Sequence, residues 1–438
     1  MLRFDPKTFV SVFCRVVTAA VGISGAAFLN GFRACGWEQP PAPIVLTLFA
    51  GGAGPRTKAL RAELDDYERL HPGISVKFNT GGATSELQRQ YLTTLLDAHD
   101  PGYDAFVIDI VNPAEYAAAG WLEPLEPYLP GKGVNALDSY LPAERSLCRI
   151  DGRIVALPWI ADAQFLFYRT DLLQKYGLRA PQDWDELSVT ARRILLAEKD
   201  PHLFGLSIQG APIEGTVCTF LLPYWSQRKE FLSDGHLSLD RPAALAGFKL
   251  WRGLLDEGVL PPNTAEVRTG DTTNEFNAGN ALFAINWGSA WAPAEYDADS
   301  QIRGRFGIAR VPRVPGGISA SSVGGWEWAV SAFSAHKATA ADLIQYLTSR
   351  AAVKALILRI ATFPAREDLY SDPDLHALIP WLGVAHDVFL SAKNRPITPR
   401  YGQVSDVLRT TTSAVLGGST TPEAGVDEIE TSLRRVLR

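Results

Sequence analysis

Five tryptophans, Trp225, Trp287, Trp291, Trp326 and Trp328, fall near turns or strand-like stretches. An indole offers a flat apolar face with a polar edge, which suits a ring with C–H faces and a rim of hydroxyls. For any one of them, packing in a core is the plainer account. Trp287 stands apart, because it closes the run Ile285-Asn286-Trp287-Gly288 that follows Glu275-Phe276-Asn277-Ala278-Gly279-Asn280-Ala281. Carboxylates are plentiful, and a glycoside hydrolase needs only two of them across a cleft, so an enzyme of that kind stays open at this point. Other chemistry finds no footing. There is no G-x-S-x-G and no H-E-x-x-H, and the 7 histidines stand singly without ligand spacing, so neither metal nor cofactor is expected. The turn Ala50-Gly51-Gly52-Ala53-Gly54-Pro55 could present backbone N–H groups to an anion. It has Thr57 where a dinucleotide fingerprint has its third glycine, and it lacks G-K-[ST]; a tight turn and a ligand-lining turn both remain open.

These residues need a scaffold and a location. A chain of 438 residues suggests two or three domains, and a net charge of −6 carries no basic excess that would favour nucleic acid. An apolar run over residues 16–30 follows Arg3, Lys7 and Arg15. It has the length of a signal-peptide core and falls short of the roughly 20 residues that span a bilayer. Ala34-Cys35-Gly36 resembles the end of a bacterial lipoprotein signal, although Phe32 and Arg33 depart from the pattern. The reading is a signal over 1–35, a proline-rich tether over 36–43, and an extracytoplasmic chain held at the cell membrane through lipidation of Cys35; simple cleavage and an uncleaved anchor are the alternatives. Cys148 and Cys218 remain. Export permits a disulfide, but two lone cysteines far apart are more simply small buried hydrophobes.

Order begins at Ile44-Val45-Leu46-Thr47-Leu48-Phe49, an apolar run with strand composition. Leu60, Leu64, Tyr67 and Leu70 recur at helical spacing, and His71-Pro72-Gly73 stops that helix. Residues 74–78 alternate as a strand; Leu87, Tyr91, Leu92, Leu95 and Leu96 form a second helical face; residues 103–110 make a third strand. The order β-α-β-α-β predicts a parallel sheet with right-handed crossovers and a ligand at the carboxyl ends of its strands. A second unit starts after Leu157-Pro158, with a strand over 163–168 and a helix opened by Asp183 and Glu186 as a capping box. Further strands are predicted at 205–208, 281–286 and 326–330, and helices around 338–350 and 427–436.

Several segments together resemble the carbohydrate-binding subunits of ABC importers, the family-one extracellular solute-binding proteins. Glu115-Tyr116-Ala117 leads to Gly120-Trp121-Leu122, and Leu157-Pro158-Trp159 leads to Leu166-Phe167-Tyr168-Arg169-Thr170-Asp171. Pro181-x-Asp183-Trp184-x-Glu186-Leu187, Phe276-x-x-Gly279-x-Ala281 with Trp287, Gly324-Gly325, and Asn394-Arg395-Pro396 through Tyr401 follow in the family's order. The flavour is closest to mycobacterial sugar-importer lipoproteins, a branch that includes binders of disaccharides such as trehalose. The resemblance implies an α/β, two-lobed periplasmic-binding-protein-like fold with a hinge and an interlobe cleft. Lobe one would be 44–158 with 325–363, and lobe two 164–322 with 368–438. It implies no catalysis and no cofactor. A monomer would capture a carbohydrate (a disaccharide, an amino sugar or a short oligosaccharide) by hinge closure and deliver it to the permease subunits. The resemblance nominates Asp109 and Asp162 as hydroxyl acceptors, Trp287 as a stacking face, Gly325 for close backbone approach with Trp326 beside it, and Arg395 as a donor. Gly51, Gly52, Asn79, Thr80, Trp225 and Tyr401 complete the candidate set. A binder of a glycerophosphodiester or polyol in the same fold, and a secreted carbohydrate-active enzyme, are the competing readings.

Overall fold

The computed structural model describes residues 43–438 apart from Asp234; the signal, most of the tether and Cys35 lie outside the described residues. The first strand, β1 (Ile44–Phe49), fully buries Leu46, Leu48 and Phe49. It pairs in parallel with β2 (Ile74–Asn79) on one side and β3 (Ala105–Asp109) on the other. The crossovers are the helices α1 (Pro55–Leu70) and α2 (Ser85–Asp97). In α1 the expected face holds for Leu60, Leu64 and Tyr67, each fully buried, and His71 ends the helix with its N–H on the Tyr67 carbonyl. Leu70, the last residue of the helix, departs from it at 59% exposure. In α2 only Gln88, Leu92 and Leu96 are buried. Leu87 and Tyr91 face outward, so the apolar stripe is narrower than the sequence pattern suggests.

Six more strands complete a nine-stranded sheet: β4 (Leu157–Arg169), β5 (Phe204–Ser207), β6 (Ala281–Trp287), β7 (Phe306–Ala309), β8 (Val323–Val330) and β9 (Phe363–Pro364). The order is β2-β1-β3-β8-β4-β6-β5, with β7 and β9 pairing to β4 off that path. The strand expected at 163–168 is thus the second part of a 13-residue strand buried on both faces for most of its length. Its first part pairs antiparallel with β8, from Leu157 opposite Trp328 to Ala163 opposite Val323. Its second part pairs antiparallel with β6, from Gln164 opposite Trp287 to Tyr168 opposite Phe283. Strand β4 therefore belongs to both halves of the sheet, and the helices packed around each half make a two-lobed α/β molecule.

Helices fill the second half. Asp183 caps the helix Trp184–Glu198, its carboxylate accepting from the Glu186 N–H at 2.9 Å, and Leu187, Ala191 and Ile194 are fully buried. Helix α3 (Glu214–Ser226), which the sequence pattern did not reveal, buries all 13 of its residues. Helix α4 (Thr269–Asn277) precedes β6, and α5 (Tyr401–Leu416) packs against α3. Both Cys148 and Cys218 are buried free thiols. Among the described residues, no helix is long and apolar enough to cross a membrane and no cluster of metal-ligating side chains occurs.

Candidate functional site

The carboxyl ends of β3 and β6, the crossing strands β4 and β8, and the N-termini of α2, α3 and α4 meet around a cavity of about 440 Å³. Strand ends and helix starts converge because each crossover returns the chain to the same edge of the sheet. Of the candidate residues, Asp109, Asp162, Trp287, Gly325, Trp326 and Arg395 line this cavity. They come from β3, β4, β6, β8 and the segment 393–400, which runs beside the start of β8 with the Val323 N–H on the Lys393 carbonyl at 2.9 Å.

One wall is a buried ion network. Arg395 is 2% exposed and donates to two carboxylates, through Nη1 to Glu214 Oε1 at 2.7 Å and through Nη2 to Asp109 Oδ1 at 3.0 Å. Ser85 Oγ donates to Asp109 Oδ2 at 2.7 Å; Ser405 Oγ donates to Glu214 Oε2 at 2.6 Å, and the Tyr401 hydroxyl donates to Glu214 Oε1. Burial works against the charge of Arg395, but Asp109, Tyr401 and Glu214 outweigh it, and the guanidinium stays a cation. Burial raises the Glu214 carboxyl, with Arg395 pulling the other way. One cation between two carboxylates leaves the wall net acidic.

The floor is made by the crossing strands. Asp162 Oδ1 accepts from the Ala163 N–H at 2.8 Å and the Ser289 N–H at 3.4 Å. Burial pushes this carboxyl up to about 6, with the Ser289 and Ala163 donors offsetting part of the rise. Trp287 is half-buried and lies against Gly324, where any Cβ would run into its ring; the Arg395 Cζ sits 5.8 Å from the ring centroid. Gly325 adopts φ +154°, and a Cβ there would stand 2.6 Å from the Ile160 carbonyl oxygen, so no other residue fits without moving β4. Half-buried Trp326 carries the Arg56 guanidinium over its ring at 4.2 Å. Desolvation lowers that guanidinium to about 10, against the pull of Asp109.

Behind Gly325 lies a second acidic layer. Glu144 and Glu327 are fully buried, and neither oxygen of Glu144 nor Oε2 of Glu327 has a hydrogen-bond partner. The Cys148 thiol donates to Glu327 Oε1 at 3.0 Å. Burial raises both carboxyls, Glu327 to about 8, with neighbouring acids adding to the rise and Arg395 opposing it at Glu144.

The remaining candidates sit elsewhere. Trp225 is corrected: at 2% exposure it belongs to the apolar core with Phe220, Phe231 and Phe248, because it falls inside a helix buried all round rather than at a strand end. Asn79 is exposed at the outer end of β2, donating to the Tyr103 hydroxyl at 3.1 Å, and Thr80 beside it is also exposed and outside the lining. Gly51 and Gly52 lie one layer back. A Cβ on Gly51, whose φ is +75°, would stand 2.9 Å from both Arg56 Nη2 and Gln88 Oε1, and one on Gly52 would stand 3.0 Å from the Gly82 carbonyl. The pair thus leaves room for the Arg56 and Gln88 side chains and the Gly82 backbone, and neither glycine lines the cavity. Tyr401 is 1% exposed behind Glu214.

The lining residues that the sequence reading missed are mostly helix starts: Ser85 and Glu86 of α2, Glu214 of α3, and Arg268 to Asp271 at the head of α4. Asp271 accepts from the Arg268 N–H at 2.9 Å, three residues back, and that capping pattern was a usable signal. The Glu214 N–H reaches across to Glu86 Oε2 at 3.3 Å. Beyond this contact lies an adjoining chamber of about 450 Å³, lined by Leu87, Asn112, Tyr401, Ser405, Asp406 and Arg409 among others.

Comparison with known proteins fits this geometry. The sequence profile of the bacterial extracellular solute-binding proteins matches residues 53–354. A probable ABC transporter-binding protein of Deinococcus radiodurans is 32% identical over 78% of this chain and 81% of its own. A mannitol-binding protein of Pseudomonas aeruginosa is 28% identical over 71% of each. The solved structure of maltose-bound T. maritima MalE3 superposes with a TM-score of 0.83 at 32% identity, over 90% of this chain and 99% of that one. The narrower likeness to mycobacterial sugar-importer lipoproteins is not singled out by these matches. These relatives are solute-binding proteins, which sets aside the carbohydrate-active enzyme. The chain belongs to the family of bacterial extracellular solute-binding proteins.

Proposed function

We propose that this chain captures a neutral or amino-substituted carbohydrate or polyol between its lobes and delivers it to an ABC permease outside the cytoplasmic membrane. Lobe one is 44–158 with 325–363, lobe two is 164–322 with 368–438, and the working unit is a monomer. The observation that carries the reading is the cavity at the crossing strands, with two half-buried indoles, Trp287 and Trp326, beside the carboxylates Asp109 and Asp162. Indole faces pack on the C–H faces of a sugar, and carboxylates take up its hydroxyls through charge-assisted bonds. The mannitol- and maltose-binding relatives support that class. The lining disfavours a phosphodiester, since Glu86, Asp109, Asp162, Glu214 and Asp271 outnumber Arg268 and Arg395.

A thermal-shift screen of sugars, amino sugars and polyols, followed by calorimetry, tests the proposal, because a ligand of the native state raises its stability. With the ligand that emerges, Trp287→Ala weakens binding at least about tenfold, or roughly 1.4 kcal/mol. In the same titrations glucosamine binds at least as well as glucose, and Asp162→Asn penalises it more. A screen with no stabilising member overturns the carbohydrate reading; an unchanged affinity in the Trp287 variant removes Trp287 from the site, and equal losses for the two sugars remove only the amino-sugar part.

The anchor is proposed from the leader pattern of residues 16–36. Mass spectrometry of protein extracted from membranes is expected to find an acylated Cys35 at the mature N-terminus. An unmodified Cys35, or a retained Met1, contradicts it.

A further inference from the structure

We propose that Glu86 sets the length of the ligand, an inference that rests on the carbohydrate reading above. Glu86 stands in the first turn of α2, and its carboxylate crosses to the head of α3 to accept the Glu214 N–H at 3.3 Å. This contact lies where the two chambers meet, since Thr84, Ser85 and Glu86 on one side and Ile213, Glu214 and Arg268 on the other line both. The chambers measure about 440 and 450 Å³. Small-molecule sites range from about 300 to 1,000 Å³. The chamber at the crossing strands is therefore near the small end of that range, and the two together approach its upper end. With the bridge in place the site closes around a compact ligand; with it withdrawn the two spaces form one groove.

The bridge is the weak member of the partition. The rest of the wall is tied by several short bonds among Asp109, Glu214, Arg395, Tyr401 and Ser405. Glu86 is half-exposed and reaches across by one long bond to a backbone N–H. The adjoining chamber is equipped for a further hydroxylated ring. Asn112 is 3% exposed with no partner for its Nδ2, and Leu87, 46% exposed, offers apolar surface to a C–H face. A side chain that admits or blocks an added unit at such a junction discriminates ligands by excluding the longer one.

The test is calorimetry of the parent chain, E86A and E86Q with mannitol, glucose, maltose, maltotriose and maltotetraose. The parent is expected to bind best to a ligand of one or two units. E86A improves the affinity for the longer oligosaccharides at least tenfold relative to the short ones, and E86Q, which keeps the acceptor, stays within threefold of the parent ratio. Melting temperatures of both variants confirm that each is folded. A uniform loss across the panel in E86A overturns the inference and makes Glu86 a closure contact, as does an affinity in the parent that already rises with every added unit; both outcomes leave the carbohydrate reading standing. No binding of any panel member to parent or variant overturns this inference, while the carbohydrate reading stands or falls with the wider screen above.

Discussion

Arg395→Met lowers the melting temperature by at least about 3 °C at neutral pH. The substitution keeps most of the side-chain volume and removes the cation that Asp109 and Glu214 share. Two carboxylates then remain in a wall where they are 8% and 7% exposed. Breaking a buried pair from one side costs roughly 3–5 kcal/mol, because the stranded charge cannot be resolvated, and each kcal/mol is worth a degree or more in a chain of this size. Adding Glu214→Gln to the Met variant recovers part of the loss, since one of the stranded charges is gone; the two substitutions are then strongly non-additive. Melting curves of the parent, both single variants and the double variant provide the measurement. A Met variant that melts with the parent would show that the lobes do not depend on this strut.

The second large effect is a dependence of stability on pH. Glu327 has a folded-state value of about 8 against an ordinary 4.5, and Glu144 beside it is also raised. The groups around them are the Cys148 thiol, Asp109, Asp162 and Arg395. A carboxyl whose folded value is raised binds its proton more tightly in the folded chain. Its stabilising share is fully present below about 4.5 and is lost as pH rises through about 8. At about 1.4 kcal/mol per unit, the Glu327 rise corresponds to a few kcal/mol. The parent is therefore expected to melt progressively lower between pH 5 and pH 9 on that account. Glu327→Gln, which keeps the shape of the neutral acid, flattens that fall and melts above the parent at the alkaline end; adding Glu144→Gln flattens it further. Parent and variant curves with the same slope would mean that the pair is not held neutral.

Much of the scaffold could be read from local pattern. The parallel trio β1–β3 shows in apolar runs separated by helix-period segments, and the capping of Trp184–Glu198 by Asp183 is written in consecutive residues. Asp109 and Trp287 were within reach because they close their strands and strand ends in such sheets meet, whereas Trp326, in the middle of β8, came only through the family resemblance. Glu214 and Ser85 escaped notice because nothing local marks them, and Arg268 because the capping by Asp271 marks a helix start without marking a site. Each opens a helix, and it becomes part of a wall only through the way that helix docks across the cleft. Trp225 was misplaced for the opposite reason, since its neighbours Pro223 and Ser226 mimic a turn while the tertiary core keeps the helix intact around Pro223. The length of β4 was underestimated because its continuity depends on β8 and β6 on its flanks, both of which come far later in the chain.

That late arrival has a consequence for biogenesis. Strand β3 has β1 on one side, and its other edge is filled by β8, where Trp326 stands opposite Asp109. The partner is made roughly 200 residues afterwards, a separation that slows pairing because loop-closure entropy is spent before any contact forms. Until β8 arrives, the amino-terminal part of the chain carries an open strand edge of buried-type residues, all five of which are covered in the finished molecule. An exposed edge of that composition is a template for pairing with other chains. Truncations ending before residue 323 leave that edge open and are therefore expected to aggregate more readily than the full chain, which light scattering of the two would show.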